Sequence, residues 1–177
     1  MKIDTIKMAR VYVPIRYVPK ALTRKDRKRQ SQMLLKSRKM YLQNKYYTRK
    51  PVASYRSRPS KHVRNAQRLY KVAHIAPTPE LAKATGCSID AMEQIVRKGE
   101  GAYFSSGSRP NQTAQSWGYA RLASALTAGK SAAVDYSILE KGCDHKKRAF
   151  VLARQSRRKY RNGQGKTQRV VIRGGGK

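Results

Sequence analysis

Acidic residues are scarce here: nine Asp and Glu stand against 41 Lys and Arg, a formal net charge of +32 over 177 residues. So large an imbalance exceeds what solubility needs and excludes a self-balanced surface. Cysteine is scarcer still, with two. Cys87 and Cys143 make no framework pattern, which points to a reducing compartment. No run of about 18 apolar residues occurs, so no membrane-spanning helix is expected. The opening "MKIDTIKMARVYVPIRY" is charged throughout and lacks the apolar stretch of a signal peptide.

Catalytic motifs are lacking too. Ser105 or Ser106 with His145 and Asp144 or Asp135 would make a triad on paper, but no Gly-x-Ser-x-Gly is present and His145 sits in a basic run. Cys87, Cys143, His74 and His145 lack the short paired spacings of a zinc site. "GQGKT", Gly163 to Thr167, resembles the end of a phosphate loop. That motif needs Gly where Tyr160 stands. No catalytic residue, metal or cofactor is assigned.

What is present is charge, in blocks. Met1–Ala73 holds 22 Lys and Arg against 2 acids, Asp144–Lys177 holds 12 against 1, and His74–Cys143 holds 7 against 6. The expected organisation follows: a basic N-terminal arm (1–73), a near-neutral helical module (74–143) and a basic C-terminal arm (144–177). The fold class is mainly α, with long, basic, partly extended arms. Such arms repel themselves and gain by releasing counterions from a polyanion. Nucleic acid, double-stranded DNA included, is the first candidate partner on charge alone. An anionic membrane surface or an acidic protein face is physically possible too.

Along the N-terminal arm, "RVYVPIRYVP" alternates with period two, and Pro14 and Pro19 confine it to an edge strand or a pinned peptide. Thr23 caps a helix over Arg24–Gln43, roughly 30 Å long. Its first half is nearly all charge and is expected to order against a partner. The proposed contacts are Tyr12, Tyr17, Arg24, Lys25, Arg27, Lys28, Arg29, Tyr46 and Tyr47. Tyrosines among cations stack on bases or fill protein pockets. Pro51 and Pro59 mark a linker, and Ser60 starts a helix through Val63, Ala66, Leu69 and Tyr70. In the C-terminal arm a short helix around Ala149–Gln155 and a strand in "TQRVVIRG" are expected.

In the module, Thr78, Pro79 and Gly86 delimit one helix, and Ser88 and Gly99 a second. Ala82, Gly86, Met92 and Ile95 fit helix-turn-helix spacing. Asp90 and Glu93 stand where a recognition helix meets phosphate, so a plain helical corner is preferred. "GEGAYFSSGSRP" reads as a loop whose Ser105, Ser106, Ser108 and Arg109 would meet an anion or partner at a helix N-terminus. The helix after Pro110 carries small Ala114, Gly118, Ala120, Ala123 and Ala125 for close packing. Trp117, Leu122 and Leu126 supply the core bulk.

The strings "RYVPKALTRKDRKRQ", "LLKSRKMY", "YYTRKPV", "TGCS", "GAYFSSGSRPNQTAQSWGYARLASALTAGK" and "AAVDYSILEKGC" together resemble an uncharacterised family of small basic proteins. Large double-stranded DNA viruses, including algal viruses, encode them. The resemblance runs from about Tyr12 to Cys143, and Gly101–Lys130 is its most specific part. It carries no activity and no site. It implies a virion setting, with synthesis in the host cytoplasm. The expected role is a non-enzymatic minor capsid or internal virion protein whose arms order on other capsid proteins or on the genome. The alternative is a non-specific DNA-binding and packaging protein, with the helix-turn-helix-like stretch 78–98 beside the arms.

Overall fold

The structure is a computed structural model describing residues 10–161 and 167–173. It is mainly helical. The "GQGK" of the phosphate-loop stretch and the first nine residues of the N-terminal arm lie outside the described residues.

The chain forms two compact units whose borders ignore the charge blocks. The first comprises 1–57, 104–112 and 167–177; the second comprises 58–103 and 113–166. Contacts follow buried surface, and the basic segments of this sequence bury more than their charge suggests.

In the first unit, strand β1 (Val11–Pro14) pairs antiparallel with β2 (Arg169–Ile172), Val11 opposite Ile172 and Pro14 opposite Arg169. The two segments thereby make a ribbon. Val13 and Ile172 are buried, while Tyr12 and Val171 face solvent, the alternation a half-buried strand requires. A 3-10 turn at Ile15–Tyr17 leads to helix α1 (Arg24–Tyr41), where Thr23 Oγ1 accepts the Asp26 N–H as N-cap. Asp26, Gln30, Met33, Leu34 and Ser37 make its buried stripe. Three of these five are polar, which is why apolar periodicity fails to show the stripe. The charged first half was expected to need a partner; it buries this side within its own chain. The Asp26 carboxylate accepts the Ser54 N–H (2.8 Å), and the Gln30 amide donates to the Tyr17 carbonyl (3.2 Å).

The second unit holds α2 (Lys61–Tyr70), α3 (Pro79–Thr85), most of α4 (Ile89–Ser105), α5 (Ala114–Leu126), α6 (Lys130–Val134), α7 (Tyr136–Gly142) and α8 (Arg148–Tyr160). Leu81, Met92, Ile95, Leu122, Leu126, Leu139 and Phe150 share one apolar core, which α2 and α8 join through Ala66, Tyr70, Ala149 and Ala153. Two sequence-based boundaries move. Gly99 does not end α4. A Cβ there would lie 2.6 Å from the Gly118 Cα, so the two glycines let α4 and α5 cross closely while the helix runs on to Ser105. Pro110 does not open α5. Thr113 does, through a reciprocal capping box with Ser116.

The cysteines differ most from expectation. Cys87 and Cys143 form a disulfide across an isolated antiparallel bridge, with Cα atoms 3.9 Å apart. Each follows the end of a helix, and Ser88 N–H to Gly142 O and Asp144 N–H to Gly86 O (both 2.8 Å) flank the pair. Two helix ends meeting across the fold bring them together, which sequence spacing cannot reveal.

Candidate nucleic-acid interface

The described residues of the first unit carry 18 Lys and Arg and one carboxylate, Asp26. That carboxylate is buried. Hydrogen bonds from Ser54, hydroxyl and then backbone, hold its pKa below the usual carboxylate range, with smaller help from Arg29 and Lys25. No exposed acid therefore offsets the cations among these residues.

The cations are ordered by α1. Opposite its buried stripe, Lys25, Lys28, Arg29, Gln32, Lys36 and Lys39 recur at spacings of three and four, all exposed. This is a cationic stripe along about 21 Å of helix. Of the five α1 cations expected from sequence, Lys25, Lys28 and Arg29 lie on it. Arg24 is exposed at the helix start, and Arg27 flanks it, donating to the Lys20 carbonyl (3.0 Å). Lys36 and Lys39 were missed. Helical spacing from Lys25 was the signal that could have found them.

The tyrosines divide. Tyr17 is buried in the first unit and offers no partner a ring. Tyr12 is 53% exposed on β1 and Tyr46 68% exposed after α1. Tyr47 is half-buried, with Lys36 Nζ 4.5 Å from its ring centroid.

The serine-rich passage is not the open anion loop that its sequence suggests. Ser105 closes α4. Ser108 is fully buried and accepts from Arg49 Nη2 (2.8 Å) while donating to the Arg109 carbonyl (2.8 Å). Arg49, only 6% exposed, also donates to Ser37 Oγ (2.9 Å), which passes a hydrogen bond to the Phe104 carbonyl (3.0 Å). Gly107, at φ +121°, lies against Leu34 and Tyr17. Asn111 clasps the segment Val52–Tyr55 with three hydrogen bonds, to the Val52 N–H, the Val52 carbonyl and the Tyr55 carbonyl. The passage is spent on internal cohesion; Ser106 and Arg109 alone of the four residues are exposed.

In the second unit, α3 and α4 follow one another across Gly86–Ser88. The exposed side of α4 opens with Asp90 and Glu93, and Asp90 takes a hydrogen bond from Gln94 (2.7 Å). Those acids repel a phosphate backbone. Asp135 is fully buried, held bidentate by Arg121 (2.7 and 2.8 Å) and by Lys98 (3.1 Å). His145 stacks on Phe150 at 4.1 Å, and its Nε2 bonds the Glu140 carbonyl. Neither is placed as a triad member. No group of three or more metal-ligating side chains occurs among the described residues. Leu122 and Leu126 are fully buried, whereas Trp117 is only half-buried and stands outside the core. Beside it, Gly118 holds the tight contact with α4, where a Cβ would lie 2.8 Å from the Val96 carbonyl oxygen.

A mainly helical, strongly basic chain with one cation-striped unit is thus defined. No helix among the described residues is long and apolar enough to cross a membrane. The chain belongs to a family of unknown function (DUF5824), whose model matches residues 14–149. No curated protein and no solved structure matches it.

Proposed function

We propose that this protein is a non-enzymatic binder of duplex DNA, acting without sequence preference through the cationic stripe of α1. The observation that carries the reading is the stripe itself: five aligned cations on a folded unit whose only described carboxylate is buried. Duplex DNA presents about one charge per 1.7 Å of axis, and aligned cations release its counterions without first having to order. The resemblance to proteins of large double-stranded DNA viruses supplies the setting, an internal virion protein that lies against the genome. A capsid-cement role for the N-terminal arm loses part of its motive. Residues 10–57 already bury Tyr17, Met33, Leu34 and Val52 in their own unit.

The test is a salt titration of full-length protein on unrelated duplexes. Neutralising Lys25, Lys28, Arg29, Lys36 and Lys39 to Gln should flatten the log–log salt slope by about 4. An unchanged slope would overturn the reading. Binding to phosphatidylserine vesicles that exceeds binding to duplex at equal salt would also overturn it.

A further inference from the structure

The stripe does not account for the end of α1. There, Leu42 is 85% exposed and Tyr46 68% exposed, an arrangement that costs solubility. The backbone fixes it. Asn44 sits at φ +56°, the Asn44 N–H bonds the Tyr41 carbonyl (3.0 Å), and the Lys45 N–H bonds the Met40 carbonyl (2.9 Å). These paired bonds are those of a Schellman closure, which turns the chain sharply and holds the next residue in place. The Tyr46 ring is braced from two directions. It lies 5.0 Å from Phe104 and 6.2 Å from Tyr41, tilted to both. Exposed Lys39 and Lys45 flank this apolar cap in the chain, and among the described residues of the first unit no exposed acid opposes them.

We propose that the Tyr46 cap is a stacking site for an unpaired nucleobase, with Leu42 beneath the base and Lys39 and Lys45 on the adjoining phosphates. A braced aromatic ring beside mobile cations suits single strands, because every base offers a π-face and its phosphates offer charge. Charge complementarity selects this occupant over an apolar protein groove. The proposal rests on the nucleic-acid reading above and deepens it. The stripe holds duplex by charge, and the cap adds a preference for strand ends, loops or opened segments.

The test is anisotropy with full-length protein and labelled 20-mers: oligo-dT, oligo-rU and a matched duplex. Tyr46→Ala should weaken both single strands about tenfold, leave the duplex within twofold, and keep the salt slope. Tyr46→Phe should keep the wild-type affinity. The two single-strand probes separate DNA from RNA as the source of the base; a loss on one alone assigns the site to it. Photocrosslinking of wild-type protein to an oligonucleotide carrying 5-iodouracil gives a second readout, with the adduct expected on Tyr46. Unchanged single-strand affinity in Tyr46→Ala, equal loss on duplex, or an adduct elsewhere would overturn the proposal. A protein-docking role would appear as the first of these. Failure of the stripe variant alone would instead count against the duplex reading, so the two are distinguishable.

Discussion

The two units of this chain are built by opposite means. In the second, helices meet over leucine, methionine, isoleucine and alanine, and glycines bring α4 and α5 into contact. In the first, a strongly cationic helix is held by a polar seam: Asp26 to Ser54, Gln30 to Tyr17, Ser37 and Ser108 to Arg49, and Asn111 to Val52. Such a seam lets a strongly basic segment bury one side within its own chain. Its directional bonds add to the apolar burial of Met33, Leu34 and Val52, provided every buried polar group finds a partner. Among the described residues no buried side-chain nitrogen or oxygen lacks one. The arrangement also leaves the other faces of α1 free to carry charge.

The largest way to break this comparison is covalent. The Cys87–Cys143 bond closes a loop over a sequence separation of 56, within the second unit. On the chain-entropy account its loss should cost about 4 kcal/mol. Cys143→Ser, or reduction with dithiothreitol, should lower the urea midpoint read by Trp117 fluorescence, since Trp117 belongs to that unit. Amides of the first unit should keep their own midpoint. A fall of both together would show that the units share one transition. No change would mean that the thiols stay reduced in solution, as scarce cysteine alone suggests.

Next in size is truncation of the apolar core. Leu126→Ala should cost about 3 kcal/mol, as full burial demands. Ser37→Ala, which removes the link between Arg49 and the Phe104 carbonyl, should cost about 1–2 kcal/mol in the first unit. Thermal melts of both variants, read unit by unit, check the ranking. Reversal would mean that the polar seam is the stiffer of the two. Trp117→Ala falls lower still, at about 1 kcal/mol, because the ring is half-buried. A cost near that of Leu126→Ala would restore it to the core.

How far the sequence revealed this fold tracks the same divide. Helices of the second unit announce themselves through Thr78, Pro79, Gly86 and Ser88, and their apolar spacing places Leu122 and Leu126 inside. Gly99 misleads because glycine at a close crossing and glycine at a helix end look alike in one dimension. Trp117 misleads because size suggests burial, while α5 buries the side that carries Gly118, Leu122, Ala125 and Leu126. In the first unit, Thr23 and the alternation of Val11 and Val13 are legible. The seam is not, for Asp26, Gln30 and Ser37 read as surface residues until Ser54, Tyr17 and Arg49 are known to face them. The stripe is the half of the candidate site that periodicity could show. The Tyr46 cap depends on a turn at Asn44 that no pattern marks.

The finest test uses pH, because acid and alkali act on different units. Asp26 has its pKa held below the ordinary 3.8 by the Ser54 hydrogen bonds, so the folded first unit binds this proton less readily than the unfolded chain. The contribution is present above pH 3.8 and is lost as pH falls through the folded value. Tyr70 is the counterpart. Burial pushes its phenol above the ordinary 10.0, and its hydroxyl donates to the Leu126 carbonyl, so its contribution is full below pH 10.0 and declines as pH rises further. A titration of the Ser54 amide in a nitrogen–proton NMR spectrum should therefore show a step with a midpoint below 3.8. Urea midpoints of first-unit amides should drop across the same step while Trp117 fluorescence holds steady. Asp26→Asn should remove the step and flatten the acid limb. At alkaline pH the order should invert, with Trp117 reporting first and Tyr70→Phe abolishing the decline. An Asp26→Asn protein that keeps the acid step would show that another carboxylate governs it, and with it that the seam is not what holds the basic helix in place.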